Sequence, residues 1–200
     1  MKRTIPEIYE DTIVHHGFEI EHTRTHCAKS VKGVDFSVKF RIVKNSLNLE
    51  IAELYNTEIL EFGLKLWGKT LPKSPIRRTS WGLITSLFYL TKNFSIESIL
   101  DEYSLKKGLA LMEDLSIQQA SSINAILART EEEAELVWKN KLTNRAPVFE
   151  IMALIYGQQG RFEEAVNACD RWRSLHDIGP FTLQTVDLAK KFYLESMKTH

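Results

Sequence analysis

Little in this chain can staple, charge or anchor it. Its two cysteines, Cys27 and Cys169, lie far apart without a metal-type spacing, which argues against a disulfide framework and fits an intracellular, reducing location. Lys+Arg and Asp+Glu number 26 each, so no global charge draws the chain to nucleic acid or to a membrane surface. No apolar run approaches the roughly 20 residues of a membrane-crossing helix, and no membrane insertion is expected. A Gly-rich phosphate loop, a nucleophile elbow, a nicotinamide fingerprint and an HExxH core are all missing. The reading is therefore a non-enzyme, with no catalytic residues, no metal site and no cofactor. The start turns acidic at Glu7, Glu10 and Asp11, which argues against an N-terminal presequence.

What is present is helical periodicity that recurs. Phe149, Met152, Ala153 and Tyr156 form one stripe, Gly160 breaks it, and Phe162, Ala165, Cys169 and Trp172 form a second. The spacing of Phe149, Tyr156, Phe162 and Ala165 reappears as Phe36, Val43, Leu49 and Ala52. It reappears in part as Trp81, Phe88 and Phe94, where Glu97 occupies the small-residue position. Glu132-Glu133-Ala134 followed by Trp138 echoes Glu163-Glu164-Ala165 followed by Cys169. Trp81 and Phe149 are separated by twice a mid-thirties period, the range of helical-repeat arrays.

The expected fold is therefore all-α: a right-handed superhelix of antiparallel helical pairs, an α-solenoid. Residues 1–33 are read as an N-terminal helix and an ambiguous segment, and 34–200 as a helical-repeat domain. The ambiguity lies at 17–43. Phe18, Ile20 and His22, then Val34, Phe36, Val38, Phe40 and Ile42, alternate with polar residues across Lys32-Gly33 as a small β-hairpin would. Yet Phe36, Phe40, Val43, Leu47, Ile51 and Leu54 also fit a 3–4 spacing, and the repeat offsets favour helix from Val34 onward, running on through Ile51–Trp67. Further helices are expected over Trp81–Leu90, Ser95–Tyr103, Leu105–Met112 and Ile117–Ala128. Thr130 with Glu133 reads as a capping box, Pro147 as a first-turn proline, and the residues after Gly179-Pro180 as a terminal capping helix.

The run Gly160-Arg161-Phe162-Glu163-Glu164-Ala165 resembles both tetratricopeptide and pentatricopeptide repeats. Seven residues after the small helix-B residue stand Trp172, Ile59 and Lys141, none of them small, which leans toward the pentatricopeptide type. That resemblance implies single-stranded RNA binding in organellar, mitochondrial gene expression, with bases read by the residue after each helix-A aromatic: Ser37, Gly82 and Glu150. Glu150 would place charge beside a phosphate backbone, so no complete code is legible. Phosphate-contact candidates are Lys39, Arg41, Lys44, Lys73, Arg77 and Arg78, within the basic stretches Arg24–Lys44 and Lys65–Arg78, whereas Glu97–Glu135 is acidic. The tetratricopeptide resemblance implies instead a cytoplasmic adaptor that grips a partner protein.

Two other constellations invite chemistry. Arg171 and His176 have four residues between them, similar to the motif of HEPN-type ribonucleases, but Trp172 and Leu175 already serve a packing pattern. His15, His16, His22, His26 and Cys27 form the ligand-rich cluster, and without a second cysteine pair they read as surface histidines.

Overall fold

The computed structural model describes residues 5, 7–43, 46–80, 86–87, 95–175 and 180–199. It corrects the all-α expectation, because the chain carries a five-stranded antiparallel sheet in the order β1-β2-β3-β4-β5 alongside eight α-helices among the described residues. The strands are β1 (Glu19–Ile20), β2 (His26–Val31), β3 (Val34–Val43), β4 (Ser46–Asn56) and β5 (Ser95–Ile99). The helices are α1 (Glu10–His15), α2 (Thr57–Leu66), α3 (Pro75–Ser80), α4 (Glu102–Ala120), α5 (Ile123–Asn140), α6 (Val148–Gln158), α7 (Phe162–Ser174) and α8 (Pro180–Thr199). Two compact units result. One comprises Met1–Thr57, Pro72–Gly82 and Ser86–Ser122, and the other Glu58–Leu71, Leu83–Thr85 and Ile123–His200.

The alternation in Val34–Val43 is that of a strand, and the helical spacing there is a coincidence with a physical origin. Phe36, Val38 and Phe40 are buried on one face, opposite Leu54, Ile51 and Leu49 of β4. In β4 the pairing jumps from Ser37 with Glu53 to Val38 with Ile51, so Ala52 is the extra residue of a β-bulge. The bulge shifts the inward set from Leu47, Leu49 and Ile51 to Leu54, and the resulting gap of three imitates a helical step. Ala52 is thus a half-buried bulge residue, not the small residue of a repeat's second helix. The helix expected from Ile51 begins at Thr57, and the one expected at Ser95–Tyr103 opens as strand β5. The expected helix at Trp81–Leu90 lies mostly outside the described residues.

α4 lies along the apolar face of the sheet. Gly108 brings it close to the Leu49 and Ile99 side chains, the Glu113 carboxylate meets the Lys29 ammonium at 2.5 Å, and the Asn56 amide donates to the Ala120 carbonyl at 2.9 Å. The helix starts in a capping box in which Asp101 accepts from the Ser104 N–H and the Ser104 hydroxyl accepts from the Asp101 N–H. Full burial of Phe36, Phe40, Leu49 and Leu54 stabilises this unit by about 1.5–3 kcal/mol each before entropy is counted.

α3 covers part of the opposite face through a buried ion pair, Arg78 with Asp35 at 3.2 Å. Thr57 also donates to Asp35. Desolvation pushes the Asp35 carboxyl above its ordinary value, with Ser30, Arg78 and Thr57 offsetting part of that rise. The Ser86 hydroxyl both accepts from the Leu54 N–H and donates to the Leu54 carbonyl, doing for β4 what a neighbouring strand would do.

The second unit is helical. Every residue of α6 from Val148 to Gly157 is buried, as a run that is apolar except for Glu150 and Gly157 demands, with α5 and α7 packed against it and α8 packed on α7. Gly160 takes φ 74°, and the Arg161 N–H closes the turn on the Tyr156 carbonyl at 2.8 Å, so α6 and α7 form the helix-turn-helix legible in the sequence. Thr130 does not cap a helix. It lies inside α5, where its hydroxyl donates to the Ile126 carbonyl at 2.7 Å.

Candidate functional site

A cleft of about 590 Å³ opens in the helical unit between α5 and α7, with α6 as its floor. Each wall follows from local sequence. α5 presents Glu131 and Glu135 one turn apart, α6 contributes Met152 and Tyr156, also one turn apart, and α7 adds Glu164, Asn167, Ala168, Asp170 and Arg171. Met152 and Tyr156 line the cleft with only a small part of their surface exposed, and the small side chain of Ala168 is buried beside them.

The cleft's polar groups are ordered. The Tyr156 hydroxyl donates to the Glu131 carboxylate at 2.5 Å. Burial, then Glu131, pushes the Tyr156 phenol up to about 12, so it stays a neutral donor at physiological pH. The Arg161 guanidinium lies over the Tyr156 ring, 4.3 Å from its centroid, and donates to Glu164 at 3.0 Å. Arg171 meets Glu135 at 2.6 Å, and Lys190 pairs with Asp170. Glu131 differs from these carboxylates. Its partner among the described residues is a neutral phenol, so its negative charge is held in place without a cation to balance it.

The residues expected to contact RNA do not form such a cleft. Ser37, Lys39 and Arg41 share one face of β3 by alternation, but Ser37 is buried, Glu53 stands opposite it, and Glu50 stands opposite Lys39 and bonds Arg41 at 3.2 Å. That face therefore carries both signs. Arg78 is committed to Asp35, Lys73 and Arg77 are exposed, and Lys44 and Gly82 lie outside the described residues. Glu150 is buried in α6 and faces no open surface.

His176 lies outside the described residues, while Arg171 belongs to the cleft. Of the histidine cluster, His22 lies in a turn and His26 opens β2, where its ring meets Glu21 at 3.1 Å. Cys27 follows His26 on the strand and so points to the other, buried face. Among the described residues no group of three or more His, Cys, Asp and Glu is placed to hold a metal ion.

Glu131 was legible only as part of an acidic stretch, and Tyr156 only as part of a packing stripe. Nothing in their spacing shows that a turn of α5 faces a turn of α6. Comparison with family models, with curated proteins and with solved structures finds no match.

Proposed function

We propose that this protein is a non-enzymatic docking module whose α5–α7 cleft takes a lysine- or arginine-bearing segment of a partner protein. The observation that carries the reading is the Glu131 carboxylate, fixed by Tyr156 beside Met152 and left without a cation among the described residues. An incoming ammonium or guanidinium complements that charge, and the Met152 and Tyr156 surfaces receive the aliphatic stem that leads to it. An aromatic, acidic lining supports a protein partner over RNA, because clustered carboxylates repel a phosphate backbone. The pentatricopeptide reading also loses its first repeat copy, which lies in β3 and β4.

Fluorescence anisotropy with a labelled Lys/Arg-rich peptide, an acidic peptide of equal length and an unstructured RNA oligonucleotide tests this. The basic peptide is expected to bind. Glu131→Gln, which keeps an acceptor for Tyr156, should weaken it several-fold, and Glu131→Lys by about tenfold or more. Binding of RNA with a steep salt dependence, together with no binding of the basic peptide, would refute the proposal in favour of an RNA-holding surface.

A further inference from the structure

Glu131, Glu135, Glu164 and Asp170 line the α5–α7 cleft, and the helical unit supplies its own cations to the last three. Arg161 bonds Glu164 and Lys190 pairs with Asp170, but neither of these cations belongs to the cleft wall. Arg171 differs, because it lines the cleft itself. It reaches from α7 to Glu135 of α5, which it meets at 2.6 Å, and its guanidinium carbon lies 5.6 Å from the centre of the Trp138 ring. A carboxylate with an aromatic ring beside it is the setting that receives a guanidinium, and here a side chain of the same chain occupies it.

Glu131 and Glu135 stand one turn apart on α5, a spacing that would receive two cations about 6 Å apart. The Tyr156 hydroxyl holds Glu131 without neutralising it, whereas Arg171 neutralises Glu135. A second cation arriving at Glu135 must therefore displace Arg171, and it exchanges one ion pair for another of the same kind. Both members of that pair are partly exposed, 39% for the Arg171 side chain and 67% for that of Glu135, so the pair contributes little to stability and the fold tolerates its removal.

We infer that Arg171 is a specificity-determining residue: it fills the second cation position of the cleft, at Glu135, and so restricts the partner to one lysine or arginine, at Glu131. The inference rests on the reading of the cleft as a seat for a basic segment, and it sets how many charges of that segment the cleft engages.

Fluorescence anisotropy at physiological ionic strength, with two peptides of identical composition, tests the assignment. One carries two lysines separated by a single residue, about 7 Å apart when extended, and the other carries them at opposite ends. Wild type is expected to bind the two peptides alike, within about twofold, because one lysine is engaged in either case. Arg171→Gln should bind the close-lysine peptide about threefold to fivefold more tightly than the separated one, the worth of one added exposed ion pair. That preference should vanish in Arg171→Gln combined with Glu135→Gln. It should also be absent in Arg173→Gln, which removes the same charge from α7 and breaks an exposed pair with Asp187 outside the cleft wall. A wild type that already prefers the close-lysine peptide by that factor, an Arg171→Gln variant that does not discriminate, or a preference that survives Glu135→Gln overturns the role of Arg171. Failure of both peptides to bind wild type and Arg171→Gln refutes the basic-segment reading of the cleft itself, whereas binding that depends on Glu131 without discrimination in Arg171→Gln overturns this inference alone.

Discussion

Replacing Gly157 with alanine sets two opposed effects against each other at one atom. Gly157 lies inside α6, where alanine is favoured over glycine by about 0.8–1 kcal/mol through reduced backbone entropy. A Cβ there would come within 2.3 Å of the Tyr193 ring, which is held between Phe162 and Phe192 and cannot retreat as the tip of a flexible side chain would. Overpacking of a close-packed core costs typically 1–3 kcal/mol, and overlap with a pinned ring belongs at the upper end of that range. The net expectation is destabilisation of about 2 kcal/mol, or roughly 4–8 °C in the unfolding midpoint of a chain this long. Gly108→Ala is the internal control. Its Cβ would meet the terminal methyls of Leu49 and Ile99 at 3.0 and 3.1 Å, contacts that small side-chain adjustments relieve, so the helix gain and the crowding should cancel to within about 1 kcal/mol. Urea unfolding of both variants, and of Gly157→Ala in a Tyr193→Leu background, measures the difference. A neutral or stabilising Gly157→Ala, or an equal penalty in the Tyr193→Leu background, would show that the ring does not cover Gly157.

Two further outcomes follow from buried groups. Asp35 has a folded-state value raised above its ordinary 3.8 by burial, so its contribution to stability is fully present below that value and is lost as pH rises through the raised one. Wild type should therefore lose stability relative to Asp35→Asn across that window and hold a constant difference above it, as read from urea midpoints at successive pH values; a difference that does not change with pH would contradict the placement of Asp35. Cys27 and Cys169 are both fully buried, and burial raises both thiols, Cys169 to about 12. Neither should react with a thiol-specific disulfide reagent in the folded protein, both should react in denaturant, and rapid modification of one thiol in the native state would contradict the packing around it.

How far the cleft could be read from sequence differs residue by residue. The helix-turn-helix around Gly160 was legible because its signals are local: one apolar stripe, a glycine free to adopt a positive φ, then a second stripe. The terminal helix after Gly179-Pro180 was legible for the same reason. The role of Glu131 was not. A carboxylate on an amphipathic helix looks the same whether it faces solvent or a tyrosine twenty-five residues away, and the Tyr156 hydroxyl that distinguishes it arrives through packing.

The sheet marks where local pattern stopped being sufficient. Phe36 and Phe40 are spaced by four, which satisfies both a strand and a helix, and the bulge at Ala52 turned a period of two into a gap of three. Which period applied was decided by partners remote in sequence: β2 and β4 on either side of β3, α4 against the apolar face, and α3 held on the other face by Arg78 and Asp35. Turn residues and periodicity determined by themselves the two helices joined at Gly160 and the terminal helix after Pro180, because a helix closes its hydrogen bonds within its own segment. The helix ends expected at Met112, Ile117, Ala128 and Thr130 fall elsewhere, α4 running unbroken to Ala120 and α5 from Ile123 to Asn140. A strand leaves its N–H and C=O groups to be met by another segment, so the sheet, its bulge and the faces that Ser37, Lys39 and Arg41 share were decided only when the tertiary structure brought those segments together.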